Sequence, residues 1–346
     1  MLARPLFVAA LVVLSAATAQ AENYIVQMPF NFDGPIVREL PSIGARVIDL
    51  APEQVTALVA QGVVLEKDQR FFVPGPASTV NTSPGPVANW HLNAVHSIEA
   101  NALPNGSGQG ITVCVLDSGV NAIGPLNGAI VGGLNVTDPA NPNDFHDGAG
   151  HGTLVASTIA ARATLGSSGI APQAGIYAVK FMHDDGSGSY SDAIAGLAAC
   201  IGKSQIVNLS FGGINESPAF DKALADAKSK GLTLIAAAGN DSGPVGFPGK
   251  STNVLAVSSS NYLNQLSSFS SFGPEIAFIA PGEGLQIPGD CNQLVELSGT
   301  SFSAAVVSGV EAIRLSRKST SLRATDLGLP HDQQGVGLVD AFGSAQ

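Results

Sequence analysis

The chain has 346 residues, 45% of them hydrophobic, enough for a large core in one main domain with something smaller beside it. Its 40 glycines and only 12% charged residues exclude a coiled coil or a disordered tail and suit a loop-rich α/β enzyme. A net charge of −11 with no basic stripe excludes nucleic acid as a partner, because nothing is present to neutralise phosphates.

Residues 1–21 read as an export signal. Arg4 supplies the positive end, residues 6–17 an apolar stretch too short to anchor in a bilayer, and Ala19-Gln20-Ala21 a small-x-small cleavage site. The expected location is secreted or periplasmic, and no later run is long and apolar enough for a membrane span. Residues 24–28, 46–50 and 63–68 read as strands. Between them, a helix over 52–61 starts on Pro52-Glu53 and repeats Val55, Leu58 and Val59 on one face. Residues 22–73 therefore form a small α+β unit. A Pro/Gly/Ser-rich linker without apolar period follows at 74–87, the kind of exposed segment where proteolytic nicking concentrates.

From Gly110 the pattern alternates. Continuous apolar runs at 111–116, 176–181, 206–209, 232–238 and 254–257 read as buried parallel strands. Helical stretches over 153–163, 191–201 and 218–230 lie between them. The last has Phe220, Ala223, Leu224 and Ala227 at helical spacing and Gly231 to stop it. This order predicts an α/β fold over 88–346, a parallel sheet with helices on both faces. Three cysteines, Cys114, Cys200 and Cys291, leave at least one unpaired, and Cys114 inside its apolar run reads as a small buried thiol. No Cys-x-x-Cys pair supports structural zinc.

Three segments carry chemistry: Val115-Leu116-Asp117-Ser118-Gly119, Gly150-His151-Gly152-Thr153 and Ser298-Gly299-Thr300-Ser301-Phe302-Ser303. Each sets one reactive side chain beside small residues that permit close approach. A carboxylate, an imidazole and a hydroxyl are the parts of an acyl-transfer triad, in which the imidazole takes the hydroxyl proton and the carboxylate orients it. The order Asp117, His151, Ser301 excludes the chymotrypsin-like order and the α/β-hydrolase order. A fourth segment, Ala236-Ala237-Ala238-Gly239-Asn240, ends a strand on a side-chain amide able to donate to an oxyanion.

These four segments resemble the subtilisin-like serine proteases, and the resemblance runs over about 90–341. It implies Ser301 as nucleophile, His151 as general base and then acid, Asp117 as the orienting carboxylate and Asn240 as oxyanion donor. It also implies that 22–73 is a short inhibitor-like propeptide, an intramolecular inhibitor released by cleavage in the linker. Gly186, Ser187 and Gly188, with Ser210, Phe211 and Gly212, resemble the two segments that hold an extended peptide substrate by strand addition. Gly246 resembles the base of an open pocket for the residue before the scissile bond. No charged residue is seen there to select a basic side chain, so apolar or broad specificity is expected. The family commonly has Met and Pro where Phe302 and Ala305 stand. Residues 162–169 take the place of a family calcium loop but lack the carboxylates and Asn side chains a hard cation needs. No metal ligand is therefore assigned and no cofactor is required, calcium being conceivable but unsupported at this loop.

Rival readings are weaker. Asp-Ser-Gly recurs at Asp241-Ser242-Gly243, so an aspartic protease pairing Asp117 with Asp241 is conceivable, but that fold is all-β and leaves His151 and Ser301 unused. A catalytically silent protein that docks peptides in the same cleft is the other alternative. No Gly-x-Ser-x-Gly elbow surrounds Ser301, against a lipase, and Gly106-Ser107-Gly108-Gln109-Gly110 precedes its strand, against dinucleotide binding.

Overall fold

Successive residues of a strand point to opposite faces, and here both faces are apolar. The computed structural model describes residues 20–28, 34–72, 89–213, 215–290 and 293–346. The export signal expected at 1–21 (apart from its last two residues), the linker expected at 74–87, and Cys291 lie outside the described residues.

The N-terminal unit consists of β1 (Glu22–Gln27), β2 (Ile36–Leu40), β3 (Ala45–Leu50), α1 (Pro52–Ala60) and β4 (Leu65–Lys67), with sheet order β2-β3-β1-β4. β2 was not predicted, because four of its five residues are not buried and Arg38-Glu39 interrupts any alternation. A short β5 (Arg70–Phe72) then leaves this sheet.

The main domain opens with α2 (Trp90–Ala94) and α3 (Ser97–Asn101), followed by β6 (Thr112–Asp117), β7 (Ile130–Asn135), α4 (His151–Ala160) and β8 (Gly175–Lys180). Next come β9 (Ser187–Ser189), α5 (Tyr190–Cys200), β10 (Ile206–Leu209), α6 (Pro218–Ser229), β11 (Thr233–Ala237), β12 (Leu255–Ser260) and β13 (Ile276–Pro281). A hairpin of β14 (Leu285–Pro288) and β15 (Leu294–Leu297) precedes α7 (Thr300–Ser316). The chain closes with β16 (Arg323–Thr325), α8 (His331–Gln334), β17 (Leu338–Asp340) and α9 (Ala341–Ser344). One nine-stranded sheet runs β16-β17-β13-β12-β11-β10-β6-β8-β7, with only β16–β17 antiparallel.

In β6, Val113 and Val115 join a core with Val155 and Ile159 of α4 and Val306, Val307 and Val310 of α7. Cys114 and Leu116 face the other way, into a core with Ile194 and Leu197 of α5 and Phe220 and Leu224 of α6. Helices on both faces follow directly. Residues of α7 from Thr300 to Ile313 are buried on every side, which is why its apolar run carries no polar stripe.

Cys114 is not a free thiol, contrary to the expectation above. It is bonded to Cys200, 86 residues away, with Cα atoms 5.8 Å apart, because α5 packs on the face of β6 that Cys114 shares with Leu116.

The N-terminal sheet alternates in the same way. Val26, Ile48 and Leu50 pack under Val55 and Leu58 of α1, while Ile25, Ala45 and Val47 enter the α5–α6 core of the main domain. Two acidic side chains follow the sheet onto that surface. Glu66 accepts from the Ser217 hydroxyl and, at 2.8 Å, from the Ala219 N–H at the start of α6. Asp68 accepts from the Ser191 N–H at 3.0 Å and its hydroxyl at 2.7 Å in the first turn of α5. Carboxylates at helix N-termini satisfy free N–H groups and meet positive potential. Arg38 adds an ion pair to Asp192 at 2.8 Å.

Candidate active site

β6 lies where the sheet reverses its order, with β8 and β7 to one side and β10 onward to the other. Ligand sites of open α/β sheets form at the carboxyl ends of strands at such a point. Asp117 is the last residue of β6, and His151 is the first of α4. Gly152 makes their approach possible: a Cβ there would lie 2.2 Å from the Gly119 carbonyl oxygen and 3.0 Å from the Asp117 Cβ.

His151 Nδ1 stands 2.8 and 3.0 Å from the two Asp117 carboxylate oxygens, and the Asp117 side chain is fully buried. The Ser118 N–H donates to Asp117 Oδ1 at 2.7 Å, which fixes the carboxylate plane. With Nδ1 committed as donor, the other ring nitrogen, Nε2, is left as the acceptor. Burial disfavours the imidazolium, but the charge and hydrogen bond of Asp117, aided by Asp147, outweigh it and hold His151 above its ordinary pKa.

Ser301 occupies the second position of α7, and Phe302 beside it packs its ring 5.9 Å from that of His151. The Ser301 hydroxyl donates to the Ser210 carbonyl at 3.1 Å, and it makes no hydrogen bond to His151. In turn the Ser210 hydroxyl donates to the Ser301 carbonyl at 2.8 Å. Catalytic hydrogen bonds commonly tighten only when substrate is bound, so the missing bond does not remove Ser301 and His151 as candidates.

Asn240 is oriented by its neighbours. Its Oδ1 accepts from the Thr300 N–H and hydroxyl, both at 2.9 Å. A backbone N–H only donates, so the oxygen must face Thr300 and the amide NH₂ is turned away from it. That Nδ2 lies 3.6 Å from the position a Cβ on Gly299 would take, beside the serine turn. If its amide donates to an oxyanion, replacing Asn240 by alanine should lower turnover about 10²–10³-fold with little change in KM, the magnitude known for loss of one such donor. Steady-state kinetics on a peptide substrate check this, and a loss confined to KM would assign Asn240 to substrate binding instead.

The expected substrate segments are divided between two cavities, Gly186 lining one together with Ser118 and His151. Ser187 and Gly188 are in β9, Gly186 precedes it with φ +78°, and Ser210, Phe211, Gly212 and Gly246 line a cavity of about 220 Å³ that reaches Asn240, Thr300 and Ser301. Asp241, an exposed carboxylate, stands on the wall of that same cavity. Its local reading as a turn hid this, since pocket geometry depends on Pro244 and Gly246 folding back beside it. Asp117 is engaged with His151 and Ser118 rather than with Asp241.

β5 runs antiparallel to β9, with Phe71 opposite Gly188 and its Cβ 3.9 Å from where a Cβ on Gly213 would stand. The Phe71 ring stacks on Phe211 at 5.3 Å and meets Phe181 and Tyr190 at 5.7 and 5.5 Å.

Three supporting residues had no assigned role in the sequence. Asp147 is buried and accepts from the Gly150 N–H, the Thr153 N–H and hydroxyl, and Ser118, so it caps the helix that starts on His151. Lys180, paired in register with Asp117, donates to the Ser118 carbonyl at 2.8 Å and Asp184 at 2.7 Å. Thr300 accepts from the Gly239 N–H at 3.2 Å while holding Asn240. Only the position of Asp147, four residues before a helix-opening histidine, could have been read as a capping signal.

The loop at 162–169 does not fit calcium. It offers no carboxylate and no Asn side chain, and it places the Arg162 guanidinium among main-chain carbonyls.

A parallel α/β sheet with an Asp–His pair at its switch point and a serine helix across the cleft defines a class of hydrolase, and sequence comparison gives it a family. The Subtilase family profile matches residues 108–327. The chain is 33% identical over 341 residues to "Alkaline elastase YaB" of Bacillus sp. (strain YaB), covering 94% of this chain and 83% of that protein. It is 32% identical over 314 residues to "M-protease" of Shouchella clausii (strain KSM-K16), covering 89% and 79%. Against "Subtilisin E" of Bacillus subtilis (strain 168) it is 38% identical over 224 residues, covering 62% and 58%. The chain belongs to the subtilase family and is a subtilisin-like serine endopeptidase.

Proposed function

We propose that this enzyme is an exported endopeptidase that cuts peptide bonds with Ser301, His151 and Asp117, and that residues 22–73 restrain it until they are removed. The observation that carries the reading is the buried Asp117–His151 pair, whose imidazole packs against the Phe302 ring next to Ser301, while Ser301 and Asn240 line one cavity. Ser301 Oγ attacks the scissile carbonyl carbon as its proton passes to His151 Nε2, and the charge that forms on the carbonyl oxygen is met by the Asn240 amide and the Ser301 N–H. Collapse returns the proton to the leaving amine. Water then repeats the sequence and frees the acyl group.

Apolar or broad selectivity fits a pocket walled by glycine, alanine and proline, with Asp241 exposed and therefore weakly selective. No metal or cofactor enters any step. Export rests on the pattern of residues 1–21, and among the described residues no helix is long and apolar enough to cross a membrane.

Digestion of a peptide library across pH tests the reading. Because His151 must be neutral to accept a proton and its pKa is raised, cleavage should fail, as pH drops, already above the ordinary imidazole value of about 6.5. Absence of cleavage at every pH would favour the silent peptide-binding alternative, and a profile flat down to about pH 4 would exclude a histidine base.

A further inference from the structure

The loop at 161–170 joins the far end of α4, whose first residue is His151, to the strand β8. Arg162 ties three pieces of backbone together there. Its guanidinium donates to the carbonyls of Pro172 and, at 2.9 Å, Gly128, and its own N–H donates to the Pro125 carbonyl at 2.7 Å. No carboxylate among the described residues forms an ion pair with it, so carbonyl dipoles alone face a part-buried positive charge.

Carbonyl oxygens gathered from separate segments around one positive charge are how a hard cation organises a loop. Here the charge is covalently part of the chain, planar, and always present. The rest of the loop is closed by ordinary hydrogen bonds. The Gly169 and Ala171 N–H groups donate to the Ala161 and Ile159 carbonyls at 2.9 and 2.8 Å, and Asn89 donates to the Gly166 carbonyl at 2.6 Å. These satisfy carbonyls that the end of α4 would otherwise leave free. Another cation beside the guanidinium would meet like charge and no anionic ligand.

We propose that Arg162 is a built-in cation which takes the structural part of a divalent ion, so that this loop, and through it the anchored end of the His151 helix, is held without calcium. The proposal stands apart from the peptidase reading, since its readouts need no activity.

The test uses the full chain carrying Ser301→Ala, to prevent self-digestion, with hydrogen exchange read by mass spectrometry over 161–170 and a thermal midpoint. With calcium or with a chelator, exchange in the loop should be the same. Adding Arg162→Ala should speed exchange in that loop and lower the midpoint by roughly 5 °C, and calcium should not restore either. If the alanine variant fails to fold, Arg162→Lys serves: it keeps the charge but not the fork, so loop exchange should rise part of the way. Added calcium that slows exchange at 161–170 in the parent chain would overturn the proposal. So would an arginine variant whose loop exchanges as slowly as the parent.

Discussion

Ser301→Ala should lower kcat about 10⁶-fold, His151→Ala by about the same factor and Asp117→Ala by about 10⁴-fold, magnitudes taken from the same triad in subtilisin. Here the ranking has a local cause. Without Asp117 the His151 ring is still held in place by its burial and by the Phe302 ring, so orientation is only partly lost. Without His151 no neutral base remains beside Ser301, and without Ser301 no covalent intermediate forms. A double Ser301→Ala/His151→Ala variant should be no worse than either alone, because the two act as one unit. Active-site-titrated kinetics check this. Additive losses in the double variant would mean that the residues do not share one proton transfer.

The second large effect concerns maturation. A chain with Ser301→Ala should accumulate as a precursor that keeps residues from Glu22 onward, while wild type loses the segment that ends within the linker at 74–87. Intact masses from a protease-deficient host distinguish the two outcomes, and identical trimming of both chains would assign the cut to another protease. β5 reaches β9 while the rest of the N-terminal unit packs on α5 and α6, and tethering raises the effective concentration of β5. Phe71 is the anchor within this arrangement. Removing a buried phenylalanine ring costs about 3–5 kcal/mol, which corresponds to a loss of inhibitor affinity on the order of 10²–10⁴-fold. A Phe71→Ala precursor should therefore become active with a much shorter lag than wild type. An unchanged lag would mean that the aromatic cluster does not retain the cleaved segment.

Continuous apolar runs were legible because a strand buried on both faces has few polar residues to disguise it: 111–116 and 206–209 became β6 and β10 almost unchanged. The edge strand β7 was not legible, since Ile130-Val131-Gly132-Gly133 mixes exposed and half-buried positions. β13 begins directly after Phe272-Gly273-Pro274-Glu275, whose turn residues mask its start. Candidate active-site residues stood out because each sits beside glycine at an element's end. Their supports did not, because Asp147, Lys180 and Thr300 act through partners that only the folded sheet brings near. The same holds for Cys114 and Cys200, which local sequence context cannot pair, and for Asp241, which reads as part of a turn until the cavity forms beside it.

Covalent labelling tests the central claim most directly. A fluorophosphonate reacts with a serine hydroxyl only where a neighbouring base and an oxyanion site activate it. Peptide mapping of the labelled wild-type protein should find one modified residue, Ser301, and labelling should be lost in Ser301→Ala and greatly slowed in His151→Ala. A label on a different serine, or equal labelling of the His151→Ala chain, would contradict the assignment of Ser301 and His151 as nucleophile and base.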